Sequence, residues 1–326
     1  MKDIQPARAG GKKPLIVLTG PTAVGKTALS ISLAKAVNGE IISADSMQVY
    51  RHMDIGTAKI TSEEMAGVPH YLIDCLEPEE EFNVTVFQKY AKQYISEIHS
   101  RGNIPIIVGG TGFYIQSVLK DVSFEENETD KTYRRELEEV ARTQGADVLH
   151  HQLSLVDAAS AKAIHPNNVK RVIRALEYYR QTGNPISVHN ATESEKTSPY
   201  NFVYFVLTLP REILYERIDK RVDVMMEQGL FEEVQSLQAA GYDRNLVSMQ
   251  GLGYKEFWPC LDGKITLDQA VNAVKQGTRH FAKRQGTWFR RERDVIQIRK
   301  DEFADEGEIL AHMVKICKEK EIFSNY

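Results

Sequence analysis

Gly20-Pro-Thr-Ala-Val-Gly-Lys26-Thr27 reads G-x-x-x-x-G-K-T. The apolar run Leu15 to Leu18 precedes it, and a helical pattern with Leu29, Leu33 and Val37 on one face follows. A strand therefore feeds a loop that opens a helix. Glycines at 20 and 25 let backbone N–H groups turn inward around an oxyanion, the helix start adds partial positive charge, and Lys26 adds a full one. Thr27 offers a hydroxyl to a magnesium ion. A glycine turn that merely joins strand to helix would not need all four fixed positions together with both flanks. Which phosphate compound binds is not specified by the loop itself.

The 326 residues suffice for one large α/β domain with an elaboration, or for two domains. Hydrophobic content of 42% and charged content of 26% are ordinary for a soluble globular protein. No apolar run reaches the roughly 20 residues of a membrane span, and Met1 to Lys13 reads as a loose basic leader without a signal segment. The expected setting is the cytoplasm. Cys75, Cys260 and Cys317 lie too far apart for a local metal or redox motif, and their odd number fits reduced thiols. The net charge of −4 argues against a uniformly basic nucleic-acid binder, but charge is uneven. Thr278 to Arg293 holds Arg279, Lys283, Arg284, Arg290, Arg291 and Arg293 against the single acid Glu292.

Outward from the loop, Glu40 to Ser43 reads as a short buried strand with Asp45 just past its end, where ligands collect in open α/β sheets. Asp45 there fits a magnesium ligand or a base, although for an isolated Asp-Ser an Asx turn or helix cap is the more common role. His70 to Asp74 reads as another strand, and Asp74 has the same two readings. Val84 to His99 follows as an amphipathic helix. Ile104 to Val108 is a buried strand, after which Gly109, Gly110 and Gly112 surround Thr111 at the head of a helix. Three glycines are more than a tight strand-to-helix turn requires and point to a ligand.

From about Asp121 the pattern changes. Glu125-Glu126-Asn127-Glu128-Thr129 reads as a linker, and helices follow at Lys131 to Thr143, Val156 to Ile164 and Val169 to Gln181, the last capped by Asn168 and stopped by Gly183. On it Val169, Val172, Ile173 and Leu176 make the apolar face, while Lys170, Arg171 and Arg174 share another. Such a face is more often solvated than bound to nucleic acid. Phe202 to Leu209 returns to strand, and Pro210 opens a helix with a stripe of Leu214, Ile218, Val222 and Met225 and with Arg217 and Arg221 projecting together. A glycine-punctuated loop at Ser248 to Lys255, a helix at Asp268 to Phe281, the basic run and a strand at Val295 to Ile298 complete the pattern. The expected fold is α/β: a P-loop NTPase-like, mostly parallel sheet flanked by helices, with an all-helical insertion. The boundaries are 1–122 for the first part of the core, 123–198 for the insertion, and 199–326 for core completion with a basic helical end.

These stretches resemble the tRNA dimethylallyltransferase (tRNA isopentenyltransferase) family. The resemblance rests on Gly20 to Thr27, Asp45 to Tyr50, Met53 to Lys59, His70 to Asp74, Gly109 to Tyr114, Lys170 to Glu177, Gln250 to Lys255 and Thr278 to Gln285, in the family's order and across nearly the whole chain. Eukaryotic members add a C-terminal zinc finger, which this sequence lacks, so it looks like a bacterial form. The resemblance implies transfer of a dimethylallyl group from dimethylallyl diphosphate to N6 of the adenosine 3′ of the anticodon, with Mg2+; a monomer is expected. Gly20 to Thr27 (Gly20, Pro21, Thr22, Ala23, Val24, Gly25, Lys26, Thr27) would then hold diphosphate, with Thr27 on the metal. Asp45 becomes the general base, Thr111 a contact to the nucleoside, and one or both of Arg217 and Arg221 the cations on the leaving group. Contacts to the anticodon stem-loop fall to Asp45, Ser46, Met47, Gln48, Thr111, Arg134, Lys170, Arg171, Arg174, Gln250, Gly251, Arg279, Lys283 and Arg284. The rival readings are a P-loop small-molecule kinase, an adenylate isopentenyltransferase acting on free nucleotide, and a non-enzymatic RNA-binding module switched by a nucleotide.

Overall fold

The computed structural model describes residues 4–6, 11–124 and 131–325. The linker expected at Glu125 to Thr129 lies outside the described residues, as do residues 1–3 and 7–10 of the leader. The strands are β1 (Ile4–Pro6), β2 (Lys13–Thr19), β3 (Gly39–Ala44), β4 (His70–Tyr71), β5 (Ile104–Gly109), β6 (Tyr200–Thr208), β7 (Val295–Arg299) and β8 (Phe323–Asn325). Six form one parallel sheet in the order β4-β3-β5-β2-β6-β7, and β1 pairs with β8 antiparallel. The chain divides into two compact units, one of residues 1–119 and 199–326 and the other of residues 120–198.

In the first unit successive strand residues face opposite sides of the sheet and both sides are buried. Leu15, Val17, Ile42 and Ile107 enter one apolar cluster, while Ile16, Leu18, Ile41 and Ile106 enter the other. That is why these strands read as continuous apolar runs instead of alternating ones. The helices of this unit are α1 (Lys26–Val37), α2 (Ser62–Met65), α3 (Val84–Ser100) and α4 (Gly112–Leu119) before the second unit, whose own helices are α5 (Lys131–Thr143), α6 (Ala146–Val156), α7 (Ala158–Ala163), α8 (Val169–Thr182) and α9 (Ile186–Glu195). After it come α10 (Arg211–Glu227), α11 (Leu230–Ala239), α12 (Trp258–Leu261), α13 (Leu267–Phe289) and α14 (Glu306–Glu319). Helices α3, α4 and α13 supply side chains to the first cluster, and α1 and α14 to the second.

The second unit has a core of its own, built from Leu137, Leu149, Leu153, Val172, Ile173 and Leu176. Buried acids around it are tied to partners, Glu177 and Asp157 most completely. Glu177, 2% exposed, receives both arms of Arg134 at 2.7 and 2.8 Å. Asp157, 3% exposed, accepts four bonds from the backbone and hydroxyls of Ser160 and Ser187, which hold its carboxyl below the usual range against the burial that would raise it. It caps α7, so the helix expected from Val156 begins after Asp157.

Two other expectations need correction. The strand at His70 to Asp74 stops after Tyr71, because Leu72 and Asp74 adopt positive φ (62 and 52) incompatible with an extended ladder. The helix expected to end at Phe281 runs to Phe289, which puts Lys283 and Arg284 on α13 along with Arg279.

Candidate active site

The phosphate loop joins the carboxyl end of β2 to α1. Gly20 takes φ 147, and a Cβ there would lie 2.5 Å from the Leu207 carbonyl oxygen on neighbouring β6. Gly25, at φ 91, is the left-handed N-cap of α1 and leaves the first turn's N–H groups without a side-chain cap. These are the donors an anion would take. Lys26 Nζ folds back over the loop and donates to the carbonyls of Gly20 and Pro21, both at 2.9 Å. Its pKa falls to about 8, mainly through burial and then through Arg221, with Asp45 opposing.

That balance shows the site's composition, since Arg221 and Asp45 both lie close enough to Lys26 for their charges to act on it. Burial likewise lowers the pKa of Arg221, with Asp45 and Glu64 opposing. Arg217, one turn earlier on α10, reaches the same loop, its Nη1 lying 4.0 Å from where a Gly25 Cβ would be. Asp45 adopts the Asx-turn reading through one of its oxygens. Oδ1 closes an Asx turn by accepting from the N–H groups of Met47 (2.8 Å) and Gln48 (3.3 Å), which fixes the carboxylate and leaves Oδ2 for another partner.

The glycine loop lies beside Asp45, tied to it through the Thr111 N–H, which donates to the Ala44 carbonyl at 3.2 Å. Its glycines make room for protein: a Cβ would meet the Ala44 backbone at Gly109, Gln285 at Gly110 and Trp288 at Gly112. Thr111 is partly exposed at the head of α4. Tyr114, on the same helix, feels Asp45, and burial pushes its phenol upward.

The remaining expected residues fall into distinct settings. Met47 packs against Gly251, so Asp45 to Gln48 and Gln250-Gly251 are neighbours. Gln48 spends its amide on the Thr57 and Ala58 carbonyls, and Gln250 donates to the Arg244 carbonyl, so both fix loops. Arg279 is ion-paired with Asp219 of α10, while Lys283 and Arg284 are exposed on α13. Lys170, Arg171 and Arg174 are exposed on α8 opposite its buried face. Arg134 is held by Glu177 as described, and Asp74 pairs with Lys59. The sequence reading missed one cation at the phosphate loop. Lys300, just past β7, places Nζ 2.8 Å from a Gly25 Cβ position and is paired with Glu306 at 2.8 Å. Its signal was position alone, the carboxyl end of a parallel strand.

The family model described as IPP transferase matches residues 48–292. A tRNA dimethylallyltransferase of Lachnoclostridium phytofermentans is 62% identical over 310 residues, covering 95% of this chain and 99% of that protein. Among solved structures, the full-length tRNA isopentenylpyrophosphate transferase from Bacillus halodurans is 46% identical with a TM-score of 0.72, covering 95% of this chain and 97% of that one. The tRNA delta(2)-isopentenylpyrophosphate transferase of Staphylococcus epidermidis is 45% identical with a TM-score of 0.70, covering 94% and 100%. A eukaryotic dimethylallyltransferase acting on tRNA is 32% identical with a TM-score of 0.72, covering 88% of this chain and 74% of that one.

Proposed function

Because the chain belongs to the IPP transferase family, we propose that it transfers a dimethylallyl group from dimethylallyl diphosphate to N6 of the adenosine 3′ of the anticodon in tRNA, releasing diphosphate, as a cytoplasmic monomer. The observation that carries this reading is the grouping of Lys26, Arg221 and Asp45 beyond the carboxyl ends of β2 and β3. Leaving-group chemistry needs cations where diphosphate charge develops. The loop N–H groups, Lys26, Arg217 and Arg221 supply them. Amine chemistry needs a proton acceptor on the other side, and the outer oxygen of Asp45 supplies that. Thr111, beside Asp45, is suited to orient the base. Support for a magnesium ion comes from Thr27, an exposed residue at the start of α1 whose hydroxyl is a hard oxygen ligand. Thr27 would hold the ion with diphosphate oxygens and water, and the ion would offset charge on the leaving group.

The kinase reading is disfavoured by the end of β5, where Gly109 and Gly110 stand in place of an acid. Incubation with labelled dimethylallyl diphosphate and unmodified tRNA tests the proposal. Label is expected in tRNA, inorganic pyrophosphate is expected to compete with the prenyl donor, and ATP is expected to persist. Stoichiometric ATP hydrolysis, or label transfer to AMP in preference to tRNA, would reject it.

An adenosine stacked in the anticodon loop must be flipped out to reach this site. We assign phosphate contacts to Lys170, Arg171 and Arg174 on α8 and, separately, to Lys283 and Arg284 on α13. Neutralising the three α8 cations together is expected to weaken tRNA binding and to flatten the slope of log affinity against log salt by about 0.7 for each phosphate no longer neutralised, leaving prenyl diphosphate binding unchanged. Filter binding across a salt series decides this. An unchanged slope would make the face merely solvated.

A further inference from the structure

Gln285 sits inside the basic run of α13, yet it is only 6% exposed. Both ends of its amide are used. Oε1 accepts from the Thr22 backbone N–H of the phosphate loop at 2.9 Å, and Nε2 donates to the Gly110 carbonyl of the glycine loop at 3.0 Å. The amide has one workable orientation, because an N–H requires an acceptor and a carbonyl requires a donor. Gly110 accommodates this arrangement by lacking a Cβ, which would fall 2.2 Å from Nε2.

The bridge continues beyond the amide. Next to Gly110, the Thr111 N–H is bonded to the carbonyl of Ala44, the residue before Asp45. One line of hydrogen bonds and short covalent steps thus runs from the loop assigned to the diphosphate to the carboxylate assigned to the amine. The reaction requires the allylic carbon and N6 to meet, and each is held by a different loop. An error of about 1 Å in such an alignment costs on the order of 10²-fold in rate.

We propose that Gln285 is a positioning residue, bridging Thr22 and Gly110 so that the phosphate loop and the Asp45–Thr111 side are held at reacting distance. It bears no charge, touches no reacting atom and takes no part in proton transfer. The inference rests on the prenyl-transfer reading above and adds to it a residue whose place in the basic run gave it no role of its own.

Gln285→Glu separates this role from simple packing. A protonated carboxyl has one donor and one acceptor and can make both bonds. An ionised one has acceptors only, so it keeps Thr22, loses Gly110 and repels that carbonyl. Burial raises the pKa of such a carboxyl toward the assay range. The measurement is the single-turnover rate at saturating dimethylallyl diphosphate and tRNA from pH 5.5 to 8, divided by the wild-type rate at each pH, with folding checked by circular dichroism. The expected loss at pH 8 is about 30-fold, with KM for both substrates within about threefold, and the ratio recovers as pH falls. Gln285→Met, which can make neither bond, should show a similar loss at every pH. A Gln285→Glu ratio that is flat with pH, a loss confined to KM, or a rate that simply tracks the folded fraction would each overturn the proposal. If the Met variant does not fold, the Glu profile decides alone. A wild-type enzyme that prenylates no tRNA would instead fail the underlying reading, and this inference with it.

Discussion

Asp45→Asn is expected to slow single-turnover prenylation by about 10²-fold or more while leaving pyrophosphate affinity nearly unchanged, the loss typical of a removed general base. The structure makes this substitution a clean one. The Asx turn depends on Oδ1 accepting from Met47 and Gln48, and an asparagine oxygen can do the same. What changes is the outer atom, from an oxygen that can take a proton to an NH2 that presents hydrogens to the N6 amine. One side effect has a definite sign. Asp45 raises the pKa of Lys26, so its removal lowers that pKa further. The comparison therefore belongs at pH 7 or below, under the wild-type value of about 8 and in the direction that favours the ammonium in both proteins. Near-normal single-turnover transfer by the variant would reject Asp45 as the base.

The parts of this site legible in the sequence are those whose chemistry is local. Gly20 to Thr27 works through its own backbone, so spacing and flanks suffice. The four longest strands of the parallel sheet are legible too, because burial on both faces makes their sequences mostly apolar. Illegible are features decided by distant partners. Glycines 109, 110 and 112 suggest a ligand, and what they approach is Ala44, Gln285 and Trp288, the last two more than 170 positions away. Lys300 looks like one more surface lysine until β7 brings its side chain to Gly25. Helix α14 escapes the periodicity reading although Asp305 caps it, accepting from the Glu308 N–H, and Ile309, Met313 and Cys317 make its buried face. Its residues are strongly charged on the outside, and three apolar positions become persuasive only when a sheet face is there to receive them. The basic run misleads in the opposite sense. Counting charges gives it one role, whereas the structure divides it among an ion pair at Arg279, exposed cations at Lys283 and Arg284, and a neutral bridge at Gln285.

Lys26→Met is expected to lower kcat/KM for dimethylallyl diphosphate by about 10² to 10³ at pH 7, the cost of removing one preorganised donor from a developing oxyanion. The dependence on pH is the sharper part. A lysine with its usual pKa would stay charged throughout the assay range, and the wild-type advantage over the Met variant would be constant. Here burial and the neighbouring Arg221 bring the pKa to about 8. Below that value the ammonium is present and the full advantage holds. Above it the free enzyme holds a neutral amine, so each further pH unit should reduce the wild-type advantage by about tenfold until the two proteins converge. Because kcat/KM reports the ionisation of the free enzyme, the fall should appear there and be weaker in kcat, where bound diphosphate restores the ammonium. Taking the ratio of the two proteins at each pH cancels the ionisation of the substrate. Two results would count against the assignment. A ratio that is large but flat to pH 9.5 would keep Lys26 as the anion ligand and deny its lowered pKa. A ratio near one at pH 7 would remove Lys26 from the transition state altogether and leave the leaving group to Arg217, Arg221 and the loop amides.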